Sequence, residues 1–240
     1  MNFSLRARAT AEFLGTAFLL AAVVGSGIMG EQLAGGNIAI ALLANTLATG
    51  AILIVLILTL APISGAHFNP VVTLAMAMAG NLAWREAPVY LAAQFVGAFT
   101  GVASAHLMFG MSLFSASTHA RHGAAQLLSE SVATFGLLFV IWGCAHFRPS
   151  GTAYAVGAYI TAAYWFTAST SFANPAVTLG RSTSNTFAGI RPSDMLPFII
   201  AQLAGGLAAT LLFRWLEMQT VSNERTPADF EHTAADPVPR

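Results

Sequence analysis

Charge is what this chain has least of. Of its 240 residues only 8% are Asp, Glu, Lys or Arg, and lysine does not occur at all. A water-soluble domain carries about 25% charged residues, so this chain cannot cover itself with water-seeking groups and must face lipid. Its basic and acidic residues cancel to a net charge of zero, and nothing suggests a nucleic-acid partner. The single cysteine, Cys144, stands in an apolar run. An internal disulfide and a cysteine-based metal cluster are thereby excluded. No nucleophile–base–acid arrangement, phosphate-binding loop or metal-ligand cluster is visible, so neither an enzyme nor a cofactor is expected.

What the chain has in abundance is long apolar stretches. Crossing about 30 Å of hydrocarbon takes roughly 20 residues. Six stretches qualify, at about 9–29, 37–60, 86–108, 127–147, 152–169 and 194–216. Arg6 and Arg8 before the first resemble a signal-peptide start, but Glu12 and the length of the run favour a retained span. With both termini inside, Arg6, Arg8, Arg85, Arg148, Arg214, Arg225 and Arg240 fall on the inner side. Arg121, Arg181 and Arg191 fall outside, a bias that fits cytoplasmic termini and the cell inner membrane. Residues 221–240 are polar, with three prolines and four acids, and read as a disordered cytoplasmic tail.

The most informative pattern is a repeat. Asn69-Pro70-Val71 in one half answers Asn174-Pro175-Ala176 in the other. Each pair opens an apolar piece, about 70–80 and 175–185, too short to cross a bilayer. Glu12-x-x-x-Thr16 pairs with Glu130-x-x-x-Thr134, and Gln94-x-x-Gly97 with Gln202-x-x-Gly205. The repeats cover about 8–110 and 126–217, within one channel domain spanning 1–220. Three spans per repeat make the second copy enter from the opposite side. The reading is an all-α membrane protein: six transmembrane helices plus two re-entrant half-helices, with a solute path where the half-helices meet. Proline suits the first helical position. Asparagine before it caps the helix and leaves its amide NH₂ for a solute. Two facing helix N-termini make a positive field with no titratable group, which admits neutral solutes and stops cations and protons.

With Ser64-Gly65-x-His67-Phe68-Asn69-Pro70, Asn174-Pro175-Ala176, Glu12, Glu130, Gln94 and Gln202 in place, the chain resembles the aquaporin, or major intrinsic protein, family over roughly residues 8–217. It looks like a bacterial aquaglyceroporin with an atypical filter. The resemblance implies a six-helix bundle with two half-helices, a pore in each subunit and a homotetramer. It implies that Asn69 and Asn174 donate to the solute, and that Glu12 and Glu130 hold backbone N–H groups of the re-entrant loops. His67 is expected to line the pore or brace its loop.

The chain departs from the family at two places. Val71 replaces alanine, with a modest change of shape expected. Val177 stands where water and glycerol channels of the family usually place arginine. Carried over by distance from the motifs, the other constriction positions are Thr49, Ala162 and Ser171. Thr49, Ala162, Ser171 and Val177 contain no ring and no guanidinium, so a wide constriction is expected. Arg181, one helical turn beyond Val177, is expected to snorkel toward the outer headgroups; at the pore mouth it would restore some narrowing. These readings point to a passive channel for water, glycerol-like polyols and undissociated metalloid acids such as arsenous acid. The alternatives are a secondary transporter, a mainly water-selective channel and a non-conducting structural protein. The remaining histidines, the methionines and the tryptophans read as packing or interface groups. Gly97, Gly101, Gly205 and Gly206 read as sites of close helix crossing.

Overall fold

The computed structural model describes residues 3–223. Eight α-helices follow one another: α1 Leu5–Leu33, α2 Ile38–Ser64, α3 Pro70–Met78, α4 Ala87–Met108, α5 Ala124–Phe147, α6 Thr152–Phe166, α7 Pro175–Ser182 and α8 Pro192–Asn223. A 3₁₀ turn, Pro149–Gly151, precedes α6. The starts are written in the sequence. Ser4 accepts a hydrogen bond from the N–H of Ala7 at the head of α1, and Asn37 accepts from Ala39 and Ile40 at the head of α2. Each cap satisfies amides that an α-helix leaves unpaired. Helix α2 runs through Pro62 and stops at Gly65, whose φ of 91° a side chain would resist.

Five helices, α1, α2, α4, α5 and α8, are long and apolar enough to cross a membrane. The sixth expected span is shorter than foreseen. Helix α6 has 15 residues and ends at Phe166, because Thr167 adopts extended backbone and starts the second re-entrant loop. The half-helices are also shorter than foreseen, with 9 residues in α3 and 8 in α7. At about 1.5 Å per residue neither spans half of the hydrocarbon. Helix α8 extends past the expected end of its span and takes in residues 221–223; the rest of the expected tail lies outside the described residues.

Packing follows the repeat. Helix α1 lies against α2 and α4, α5 lies against α6 and α8, and α2 and α6 join the halves. A Cβ at Gly97 or Gly101 would overlap backbone carbonyls of α1, and one at Gly205 would overlap the Ser131 carbonyl of α5. These glycines set how closely the helices cross. The outer face keeps Phe18, Leu33, Ile38, Leu107, Leu128 and Phe147 exposed, an apolar belt fit for acyl chains. Inside, α3 and α7 are wedged between α4 and α8, and their starts define the site.

Candidate functional site

Two buried carboxylates build the re-entrant loops. Glu12 is fully buried. Its Oε1 accepts from Ser64 Oγ at 2.7 Å and from the His67 N–H at 2.9 Å. Its Oε2 accepts from the Phe68 N–H at 2.7 Å and from Gln94 Nε2 at 2.8 Å. Glu130 does the same in the other half. It takes the N–H groups of Phe172 and Ala173, each at 2.9 Å, and Gln202 Nε2 at 2.6 Å. A buried acid without donors is expensive in a membrane interior; here each has at least three. Gln94 and Gln202 pass the link on to Thr73 and Thr178, both at 2.8 Å. Sequence reasoning missed these threonines, although each follows its asparagine by four residues in both copies.

The loops need this hold because their backbone is strained. Ala66, Phe68, Thr170, Ser171 and Ala173 all have φ between 49° and 61°. Such left-handed positions cost of order 1–3 kcal/mol each for residues other than glycine. They persist because the carboxylates fix the intervening amides.

The half-helices meet N-terminus to N-terminus. Asn69 Oδ1 caps α3 through the Val71 N–H, and Asn174 Oδ1 caps α7 through Ala176 and Val177. Each amide nitrogen also crosses to the other loop: Asn69 Nδ2 donates to the Ala173 carbonyl at 2.7 Å, and Asn174 Nδ2 donates to the Phe68 carbonyl at 2.8 Å. One of the two hydrogens of each amide is thus engaged, where the sequence suggested both were free. The second remains for a ligand.

A cavity of about 100 Å³ passes these asparagines. One end is lined by Gly65, His67, Ile141 and Thr152; the other by Thr49, Tyr164, Ser171, Phe172, Val177 and Arg181. His67 lines the wall and braces its loop, with Nδ1 at 3.1 Å from Thr73 Oγ1. Neither Glu12 nor Glu130 reaches the cavity wall.

Two expectations are corrected at the second end. Ala162 does not line the cavity; it is exposed on the outer face of α6. Tyr164 takes the place, buried, with its hydroxyl 3.3 Å from Thr49 Oγ1. Two residues along a helix turn the side chain about 200°. Counting backward from Asn174 across a loop of unknown shape therefore landed on the wrong face. Arg181 does not snorkel. It is only 2% exposed and lines the cavity. Being four residues after Val177, it shares that residue's face of α7. The chain beyond α7 folds back so that the Ala188 carbonyl accepts Arg181 Nε. Its guanidinium carbon lies 3.4 Å from the Phe172 ring centroid. Two rings and a guanidinium therefore stand where none was expected. Val71 is buried, with Cγ1 in the space beside Gly206 of α8.

The family model described as major intrinsic protein matches residues 2–152 and 145–236. The chain belongs to that family. It is 55% identical over 215 residues to the aquaglyceroporin AqpS of Rhizobium meliloti (strain 1021), covering 90% of this chain and 92% of that protein. It is 38% identical over 137 residues to aquaporin NIP1-1 of Oryza sativa subsp. japonica, covering 56% of this chain and 47% of that one. The fold matches the X-ray structure of the aquaglyceroporin from Plasmodium falciparum, with a TM-score of 0.73 and 21% identity. That match covers 92% of this chain and all of that one. Membership makes the chain an integral membrane protein.

Proposed function

We propose that the protein is a passive membrane channel for water and small uncharged hydroxylated solutes. One observation carries this reading: the amides of Asn69 and Asn174 stand side by side in a cavity where two helix N-termini meet. The donors offer hydrogen bonds to a solute's lone pairs, and the paired N-termini repel protons and cations. Glycerol-like polyols fit this chemistry, as does undissociated arsenous acid. The relative named aquaglyceroporin AqpS supports the same class. A channel needs no reacting group, so no enzymatic role is assigned.

Glu12 and Glu130 are engaged by loop amides and stand off the cavity. That argues against a coupled transporter, which needs a titratable group on the path. The constriction we assign is Thr49, Tyr164, Ser171, Phe172, Val177 and Arg181. The rings and Arg181 make it narrower than the sequence suggested. This supports a second reading, a channel conducting mainly water. We place the protein in the inner membrane, orient its termini to the cytoplasm by the arginine bias, and by the family resemblance assign a homotetramer.

Stopped-flow light scattering on proteoliposomes tests the proposal. Water, glycerol and arsenous acid fluxes above those of empty liposomes support it. Water flux alone selects the second reading, and no flux of any kind overturns both.

A further inference from the structure

We infer that Arg121, on the segment between α4 and α5, is a specificity-determining residue of the outer constriction. It positions Phe172 and Arg181 and adds a second positive charge beside them. The inference rests on the constriction proposed above.

The contacts converge on one place. Arg121 Nε donates to the Gly189 carbonyl at 2.9 Å. The preceding carbonyl, that of Ala188, accepts Arg181 Nε. Two arginines from distant segments thus hold consecutive carbonyls of one backbone stretch. Arg121 Nη1 donates to the Ser169 carbonyl at 3.1 Å and to Thr170 Oγ1 at 3.4 Å. Those residues lead directly into Ser171 and Phe172. The Arg121 guanidinium carbon also lies 5.0 Å from the centroid of the Phe172 ring, the same ring that Arg181 covers. Phe198 meets that ring edge-on at 5.4 Å. Arg121 therefore grips both backbone stretches that shape the constriction, and touches the ring between them.

Arg121 is itself held in place. Its backbone N–H donates to Asp194 Oδ2 at 2.8 Å, and the other oxygen of Asp194 accepts from Arg191 Nη2 at 2.9 Å. Nearby, Thr118 donates twice to Asn185 Oδ1, and the Arg191 N–H donates to the His119 carbonyl. Asp194 is thereby occupied. Among the described residues the Arg121 side chain makes no ion pair with a carboxylate. Its charge adds to that of Arg181 in a partly dehydrated setting, where like charges repel strongly. A cation entering from this side meets Arg181 on the cavity wall and feels the field of Arg121 behind the Phe172 ring. A neutral solute meets only the shape they impose.

The test uses the full-length protein in liposomes, native and with Arg121→Ala or Arg121→Lys. Two quantities are read: the glycerol-to-water permeability ratio, and the leak of methylammonium cation. Arg121→Ala is expected to raise the ratio several-fold and to open the leak. Arg121→Lys keeps the charge but lacks the planar fork that spans two carbonyls. It is expected to raise the ratio while the leak stays closed. A merely structural role would not separate the two readouts. Ratio and leak unchanged in both variants, or all fluxes falling together in both, would overturn the inference. Should Arg121→Ala yield no folded protein, Arg121→Lys decides: a native ratio in that variant overturns it. A native protein that conducts neither water nor glycerol would instead bring down the channel reading itself.

Discussion

Val71 Cγ1 fills the space that a side chain at Gly206 would need. Valine in the first motif and glycine in α8 are therefore one packing decision. Val71 is buried and β-branched, so it cannot swing aside. Gly206→Ala is expected to destabilise the protein by about 1–3 kcal/mol, the usual cost of overpacking. Adding Val71→Ala should recover most of that loss, because the pair is coupled. Thermal unfolding in detergent of the two single variants and the double variant checks this. Additive losses would contradict it.

Glu130→Gln replaces two acceptors with one acceptor and one donor. The N–H groups of Phe172 and Ala173 and the Gln202 amide all point at that carboxylate. At least one buried donor is then left unpaired, at a cost of about 1–3 kcal/mol, and the strained loop loosens. Stability and flux should fall together at every pH. Flux that survives but loses a dependence on a proton gradient would instead favour a transporter.

The pair Tyr164 and Ala162 separates two readings of the constriction. Tyr164→Ala removes a ring from the cavity wall and should raise glycerol flux relative to water. Ala162→Leu changes the outer face of α6 and should leave that ratio unchanged. Permeability ratios in proteoliposomes check both; the opposite pattern would restore the register counted from the sequence.

That register shows how far the sequence could be read. The repeat was legible because chemistry demanded it twice: Glu12 and Glu130 need donors, Gln94 and Gln202 supply one, and the Asn-Pro pairs start the half-helices. The constriction was legible only in part. Thr49, Ser171 and Val177 line the cavity as expected. Ala162 failed because the end of α6 at Phe166 depends on where the chain turns into the second loop. Arg181 was misread because its course depends on Ala188, a partner in an irregular segment that no periodicity reveals. Thr73 and Thr178 carried a usable signal, an identical four-residue spacing from each asparagine.

Arg181, on the cavity wall, is the group assigned to narrow the pore. The most direct measurement compares water and glycerol permeability for the native protein and Arg181→Val by stopped-flow light scattering. Removing the guanidinium is expected to raise glycerol permeability several-fold, with a smaller change for water. Glycerol permeability unchanged or lowered in a well-folded variant would contradict the account and return the constriction to Val177 alone.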